Sequence, residues 1–418
     1  MGDRVLDGLD DTLRAELAAL YRELHAAPEL SGAEHGTAAE IAARLRRIDC
    51  EVTTGVGGTG VVGLLRNGDG PTVMLRADFD GLPVREQTGL PYASTATGVD
   101  PDGKEVSVMH ACGHDMHVTC LVGALTVLAG AREGWSGTVL AVFQPAEETA
   151  TGAQAMVDDG LFERFGRPEV VLGQHVAPYP AGMVGVHAGP AFAATDSLRI
   201  TMFGRGAHGS RPEAAIDPVV MAAATVLRLQ TVVSREIAAT ETAVVTVGSL
   251  QAGTKDNIIP AEAELKVNIR SYTPEVRAAV LAGVERIVRA EAAASGATRE
   301  PEITPLDRFP ALVNDPAAVD RARAALVAVL GERAVVDPGP VTGSEDVGAF
   351  GAAAGVPTCY WLFGGTDPAE YARAEAAGRV AQDIPSNHSP HFAPVIEPTL
   401  GTGVTALVMV ALAWLGGQ

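Results

Sequence analysis

Met109-His110-Ala111-Cys112-Gly113-His114-Asp115-Met116-His117 places one thiol, three imidazoles and a carboxylate within nine residues. Cys112 and His114 stand in an i, i+2 relation, so both side chains of an extended or turning segment can face one ion. Gly113 between them lets the backbone bend without a Cβ clash. A thiolate and a neutral imidazole suit zinc, manganese or cobalt, and suit calcium or magnesium poorly. The competing explanation is a buried Cys and a few surface His brought together by chance. With 4 Cys and 10 His in 418 residues, chance seldom builds so dense a group.

Two ligands do not make a site, and the sequence offers more at the ends of apolar runs. Thr138 to Phe143 is a short β-prone run that reads as a buried strand and leads into Gln144-Pro145-Ala146-Glu147-Glu148. Val170 to Gln174 is a second such strand, expected to end on His175, and Thr72 to Ala77 is a third, delivering Asp78 and Asp80. In an open α/β sheet, active sites gather beyond the carboxyl ends of the strands. His388 and His391 follow late, in Asn387-His388-Ser389-Pro390-His391. Singly, each has an ordinary explanation: a solvated Glu pair, a satisfied core histidine, a surface loop, or an Asp cap on the next segment. Jointly they point to a metal site.

Composition narrows the class. A chain of 418 residues with 47% hydrophobic content can bury large cores, and its length suggests two domains. A formal net charge of −20 argues against nucleic-acid and anionic-membrane partners. The start (Met1-Gly2-Asp3-Arg4-Val5) lacks the pattern of a signal peptide. Val404 to Leu415 is too short for a membrane span and reads as a buried helix. Cys50, Cys112, Cys120 and Cys359 show no disulfide framework, so a reducing cytoplasm is expected.

Residues 10–25 and 35–48 have helical spacing, and strands then alternate with helices to about residue 190. From Asp196 the order changes to strand, helix (218–233), strand (242–250), strand (263–271), helix (274–294) and a strand near residue 300. That β-α-β-β-α-β order is the ferredoxin-like pattern. The expected fold class is therefore α/β, with a catalytic domain (1–192 and 311–418) interrupted by an inserted α+β lid (193–310). The discontinuity predicts a cleft between them. Gly55-Val56-Gly57-Gly58-Thr59-Gly60 satisfies G-x-G-x-x-G, but a dinucleotide fingerprint needs a helix after it. Val61 to Leu65 is strand-like instead, so the glycines read as a loop entering a strand.

These blocks resemble, in order and across nearly the whole chain, the M20 metallopeptidases. The similarity is to the amidohydrolase branch with hippurate hydrolase, N-acyl-amino-acid amidohydrolases and auxin-conjugate hydrolases. Arg76 to Pro83, Met109 to His117, Gln144 to Glu148, Gly173 to Pro178, Gly204 to Gly209, Gly343 to Asp346 and His388 to Pro390 carry it. The resemblance implies a zinc-exopeptidase-like catalytic domain and a lid that also makes a homodimer. It implies Cys112, His114, Glu148, His175 and His388 as ligands of two divalent ions per subunit (Mn, Zn or Co), with Cys112 as the bridge. It implies Glu147 as general base and Asp80 as the carboxylate that orients a ligand imidazole. His208 matches a histidine reaching the scissile carbonyl from the partner subunit's lid, and Asn257 and Arg270 match substrate-binding lid residues.

The chemistry suits those roles. A metal lowers the pKa of bound water from about 15.7 to about 7. Amide hydrolysis also needs a base that takes the water proton and returns it to the leaving amine, and a carboxylate beside a ligand carboxylate can do both. The oxyanion needs a donor, which an imidazole such as His208 would supply. The expected activity is metal-dependent hydrolysis of N-acyl (acetyl, benzoyl or similar) amino acids. A metallo-dipeptidase or exopeptidase is the alternative, and a non-catalytic binding protein the more distant one. Two departures from the family pattern concern the substrate. Ala177 stands where an aromatic is commoner and would widen the acyl pocket. Arg211 and Glu213 add one charge of each sign: Arg211 either selects an acidic substrate group or pairs with Glu213, the second being favoured.

Overall fold

The computed structural model describes residues 5–416. They form two compact units, one of residues 5–189, 313–339 and 346–416 and one of residues 190–312 and 340–345. The chain opens with α1 (Asp11–Ala26), α2 (His35–Arg47), β1 (Glu51–Val56), β2 (Gly60–Asn67) and β3 (Thr72–Asp78). Next come α3 (His114–Gly130), β4 (Gly137–Gln144), β5 (Val170–Pro180) and β6 (Val184–Gly185). The second unit contributes β7 (Ala194–Phe203), α4 (Pro218–Thr231), β8 (Ala243–Ala252), β9 (Glu262–Ser271), α5 (Pro274–Ala294) and β10 (Glu302–Phe309). The first unit resumes with α6 (Pro316–Leu330), β11 (Val335–Val336), β12 (Thr358–Thr366) and α7 (Thr399–Leu415).

The first unit is an α/β layer around an eight-stranded sheet in the order β1-β2-β4-β3-β5-β12-β6-β11. Its centre, β4-β3-β5-β12, is parallel throughout. Parallel strands covered on both faces read as continuous apolar runs, which is why Val73, Met74 and Leu75 or Val139, Leu140 and Ala141 show no alternation. Each large apolar side chain buried this way contributes about 1.5–3 kcal/mol. α3 is buried around nearly its whole circumference and packs against α1 and α7. The late apolar run is accordingly a helix of the core. Among the described residues no helix is long and apolar enough to cross a membrane.

Register explains where the polar residues emerge. Asp78 at the end of β3 pairs with Gln144 at the end of β4, so Asp80 and the Glu147-Glu148 turn leave the same edge of the sheet. β3 and β5 last pair at Arg76 and Gly173, and two residues beyond on each strand lie Asp78 and His175. The expectation that this strand ends on His175 needs correction. β5 runs on to Pro180 because β12 continues beside it, from Leu362 opposite His175 to Thr366 opposite Pro180. Gly55 to Gly60 joins the antiparallel strands β1 and β2, and no helix follows it. Gly57 has φ 64°, and a Cβ there would come within 2.5 Å of the Met156 backbone nitrogen.

The second unit has the β-α-β-β-α-β order, with an antiparallel sheet arranged β8-β9-β7-β10. Ile200, Met202, Leu265 and Ile269 from its strands form one core with Met221, Leu229, Val280 and Val284 from α4 and α5. Residues 340–345 belong with this unit although they follow α6 and β11 in sequence. Arg270 donates to the Thr342 carbonyl at 2.6 Å, Tyr272 to the Val341 carbonyl at 2.9 Å, and the Ala193 amide to the Gly343 carbonyl at 2.9 Å.

Candidate metal centre

Cys112 and His114 enter the site on the turn that starts α3. Gly113 takes φ 83°, and a Cβ there would stand 2.4 Å from Val176 Cγ1, so the turn needs glycine on both counts. Cys112, His114 and His175 place ligand atoms within 4.8 Å of one another, and so do Cys112, Glu148 and His388. Cys112 is common to both sets. His114, Glu147 and Glu148 form a third. Four chain segments therefore converge on one place. His388 is seated by its backbone: it adopts φ 69°, and its amide donates to the Ala111 carbonyl at 2.8 Å.

Hydrogen bonds decide which ring nitrogen of each histidine is available. His114 Nδ1 lies 3.2 Å from Asp80 Oδ1, and His175 Nδ1 lies 2.7 Å from the Val176 carbonyl. A carboxylate and a carbonyl can only accept, so each Nδ1 carries the proton and each Nε2 offers a lone pair. His175 Nε2 then faces Cys112 Sγ at 3.4 Å, and His388 Nε2 faces Glu148 Oε1 at 3.4 Å. His114 Nε2 and Glu148 Oε1 are buried without a hydrogen-bond partner and lie 3.8 Å apart. Unsatisfied buried polar atoms are costly in a protein interior. A lone pair and a carboxylate oxygen left facing each other fit a cation between them.

Electrostatics agree. Burial opposes ionisation of Asp78 and Asp80, yet Arg76 and the imidazoles hold Asp78 well below the usual carboxylate range, and His114 with Ser31 holds Asp80 below it. Burial likewise disfavours charge on His114, but Asp78, Asp80 and Glu148 outweigh it and lift the ring to about 10. His175 and His117 are pushed by burial down to about 4. Beside Arg76, these carboxylates thus favour a second proton on His114, at Nε2, the position a bound cation would take in its place. The donor set (one thiol, three imidazoles, one carboxylate) suits zinc, manganese or cobalt.

Of the other expected site residues, Glu147 is buried on the turn beside Glu148. Asp80 is buried as well, and its Oδ2 accepts from the Glu148 amide at 3.0 Å and the Ser31 hydroxyl at 2.7 Å. His208, Asn257 and Arg270 belong to the second unit. His208 is exposed, and its Nδ1 accepts from the Ser210 amide at 3.1 Å. The exposed Asn257 offers its carbonyl to the Gly209 amide at 2.8 Å. Arg270 is half-buried and bonds to Thr342, Ser344 and Asn268. Arg211 and Glu213 pair with each other at 3.3 Å on the surface, as expected.

The sequence names Asp78, His117 and Asn387 without showing what they bind. Asp78 takes Arg76 on one oxygen at 2.6 Å and His117 on the other at 2.5 Å, and His117 Nε2 accepts from the Val176 amide at 2.8 Å. Asn387 donates to the carbonyls of Val176 at 3.1 Å and Cys112 at 3.2 Å, tying the His388 segment to two other ligand segments. Position was the available signal: His117 lies one helical turn after His114, and Asn387 directly precedes His388.

A mixed α/β sheet with thiolate, imidazole and carboxylate donors collected at its carboxyl edge beside a second Glu is the site of a metallohydrolase. The chain belongs to Peptidase family M20/M25/M40, whose model matches residues 74–382. It is 35% identical over 398 residues to thermostable carboxypeptidase 1 of Saccharolobus solfataricus, covering 94% of each chain. It is 37% identical over 341 residues to the hippurate hydrolase of Campylobacter jejuni, covering 81% of this chain and 85% of that one. Among solved structures it resembles the Bacillus subtilis YXEP protein, a dinuclear metal binding peptidase from the M20 family. That likeness has a TM-score of 0.76 and 30% identity over 97% of this chain and 99% of that one.

Proposed function

We propose that this protein cleaves the amide bond of N-acyl amino acids that carry a small acyl or aroyl group. The observation that carries the reading is Glu147, buried on the turn beside Glu148 and grouped with the lone-pair nitrogen of His114. Cys112, His114, Glu148, His175 and His388 would hold two divalent ions (manganese, zinc or cobalt) with Cys112 between them. Such ions supply water that is nucleophilic at neutral pH. Glu147 is the group left to take the water proton and pass it to the leaving amine, while Glu148 serves as ligand. Asp80 orients His114. His208, supplied by the lid of a second subunit in a homodimer, would donate to the carbonyl oxygen, and Asn257 and Arg270 would hold the amino-acid portion. Four free thiols, at Cys50, Cys112, Cys120 and Cys359, support a reducing cytoplasmic setting.

The relative named hippurate hydrolase supports the acyl-amino-acid substrate. A carboxypeptidase reading is the second one, favoured by the 94% coverage shared with the Saccharolobus protein. Both are tested by stripping the protein with chelator, reloading manganese, zinc or cobalt separately, and measuring amino-acid release. The panel is N-acetyl, N-benzoyl and indole-acetyl amino acids plus short peptides. Metal-dependent release from an N-acyl amino acid is the expected result, and release from peptides alone selects the second reading. Glu147→Ala should lower kcat about 10²–10⁴-fold with metal retained. Full activity of that variant would sink the assigned mechanism.

A further inference from the structure

The turn that carries Glu147 is anchored by a carboxylate distant in sequence. Glu34 is fully buried at the residue before α2, where a side chain often caps the helix, yet it makes no capping bond. Its Oε1 instead accepts from the Gly32 amide at 2.8 Å and the Ala146 amide at 2.9 Å, and its Oε2 accepts from the Thr59 hydroxyl at 2.6 Å. All three donors are neutral. Burial therefore raises the proton affinity of this carboxyl above the usual range despite those bonds, and burying such a group is expensive.

What Glu34 grips is the residue preceding Glu147. Ala146 adopts φ 49°, in the left-handed region that costs a residue with a Cβ about 1–2 kcal/mol. Such a conformation persists only where its surroundings enforce it. On the other side of Glu147, the Glu148 amide is held by Asp80, which also takes the Ser31 hydroxyl. The two residues flanking Glu147 are thus tied by their amides to buried carboxylates, and residues 31–34 contribute to both anchors.

We propose that Glu34 is a positioning residue for Glu147: by holding the Ala146 amide it sets the direction in which Glu147 leaves the turn. The proposal rests on Glu147 being the general base. Without the Glu34 carboxylate, Ala146 loses the partner of its amide and keeps only the bonds of its carbonyl to Thr149, Thr151 and Gly152, so the turn relaxes and Glu147 turns away. Glu148 stays on its own anchor, Asp80. Base alignment and metal retention should therefore separate.

The test is Glu34→Ala beside Glu34→Gln and Glu147→Ala, each stripped and reloaded with one metal. Glu34→Ala should lose about 10–100-fold in kcat with little change in KM. Its metal content by elemental analysis should match the parent. Amide hydrogen exchange across residues 144–152 of the metal-free protein should speed up. Glu34→Gln should recover most of the kcat, since its amide oxygen can still accept from Gly32 and Ala146 while its NH₂ faces the Thr59 oxygen. A parental kcat in Glu34→Ala, with Glu147→Ala inactive, overturns this proposal alone. An active Glu147→Ala overturns it together with the base assignment. Loss of metal in parallel with kcat also overturns it, because Glu34 would then serve the whole site. Should Glu34→Ala fail to fold, Thr59→Val removes one of the three donors and should lower kcat about fivefold at parental metal content. An unchanged kcat in that variant counts against the proposal.

Discussion

His114 and His208 are assigned to one reaction, and their surroundings wire them in opposite ways. His114 is fully buried, and Asp80 takes the Nδ1 proton, so Nε2 offers a lone pair. His208 is exposed, and its Nδ1 accepts from the Ser210 amide, so a neutral ring carries its proton on Nε2. What the second nitrogen meets suits the same side chain to be a ligand in the proposed site of one unit and a hydrogen-bond donor in the other. Burial adds a further difference. His114 is positioned by its own unit before any ion arrives, whereas His208 is held at Nδ1 alone.

The largest effect should come from removing the lone pair. His114→Ala should lose bound metal, read by elemental analysis, and fall to background turnover. His208→Ala should keep the parental metal content and lose about 10²–10³-fold in kcat, as expected for one missing oxyanion donor. Metal retained in the first variant, or lost in the second, would break the contrast between ligand and donor.

Asp80→Asn sharpens it, because an Asn can turn its NH₂ toward His114 Nδ1. The ring would then take the wiring of His208, with its proton on Nε2. Disturbing such a supporting partner typically costs about 10–100-fold in metal affinity. A competition titration against a chelator measures it, and unchanged affinity would mean that Asp80 only fills space.

How much of this could be read in advance follows the range of each interaction. Cys112 with His114, and Glu147 with Glu148, stand out as candidates in the sequence because the members of each pair lie within two residues of each other. The alternation of apolar runs with helical periodicity located the sheet and the ferredoxin-like insertion. What stayed hidden depends on register between distant segments. Glu34 and Ala146 are 112 residues apart, and Asn387 and Val176 are 211 apart. Nothing in the local pattern of either segment marks the pair. The length of β5 was misjudged for the same reason, since its last residues are strand only because β12 lies beside them. Residues 340–345 escaped because side chains and amides of the second unit hold a stretch that follows α6.

A third histidine completes the comparison. His25 is buried with Nδ1 2.6 Å from Asp115 and Nε2 3.1 Å from Glu86, so neither nitrogen is left over and both can donate. Burial works against a charged ring, but Asp115 and Glu86 outweigh it and raise His25 from 6.5 to about 10. A pKa raised in the folded state stabilises fully below the unfolded value, near 6.5, and that contribution fades as pH climbs through about 10. Denaturant unfolding of the parent and of His25→Gln, followed from pH 6 to 10, should therefore give a stability gap that is largest at the acid end and narrows upward. The measurement belongs on metal-loaded protein, because the metal-free site holds a proton on His114 with the same sign and range. A gap that stays constant with pH would mean that His25 contributes packing and neutral hydrogen bonds rather than a buried charge. The tight link from α1 to Asp115, the residue after His114, would then hold the ligand turn without an ion pair.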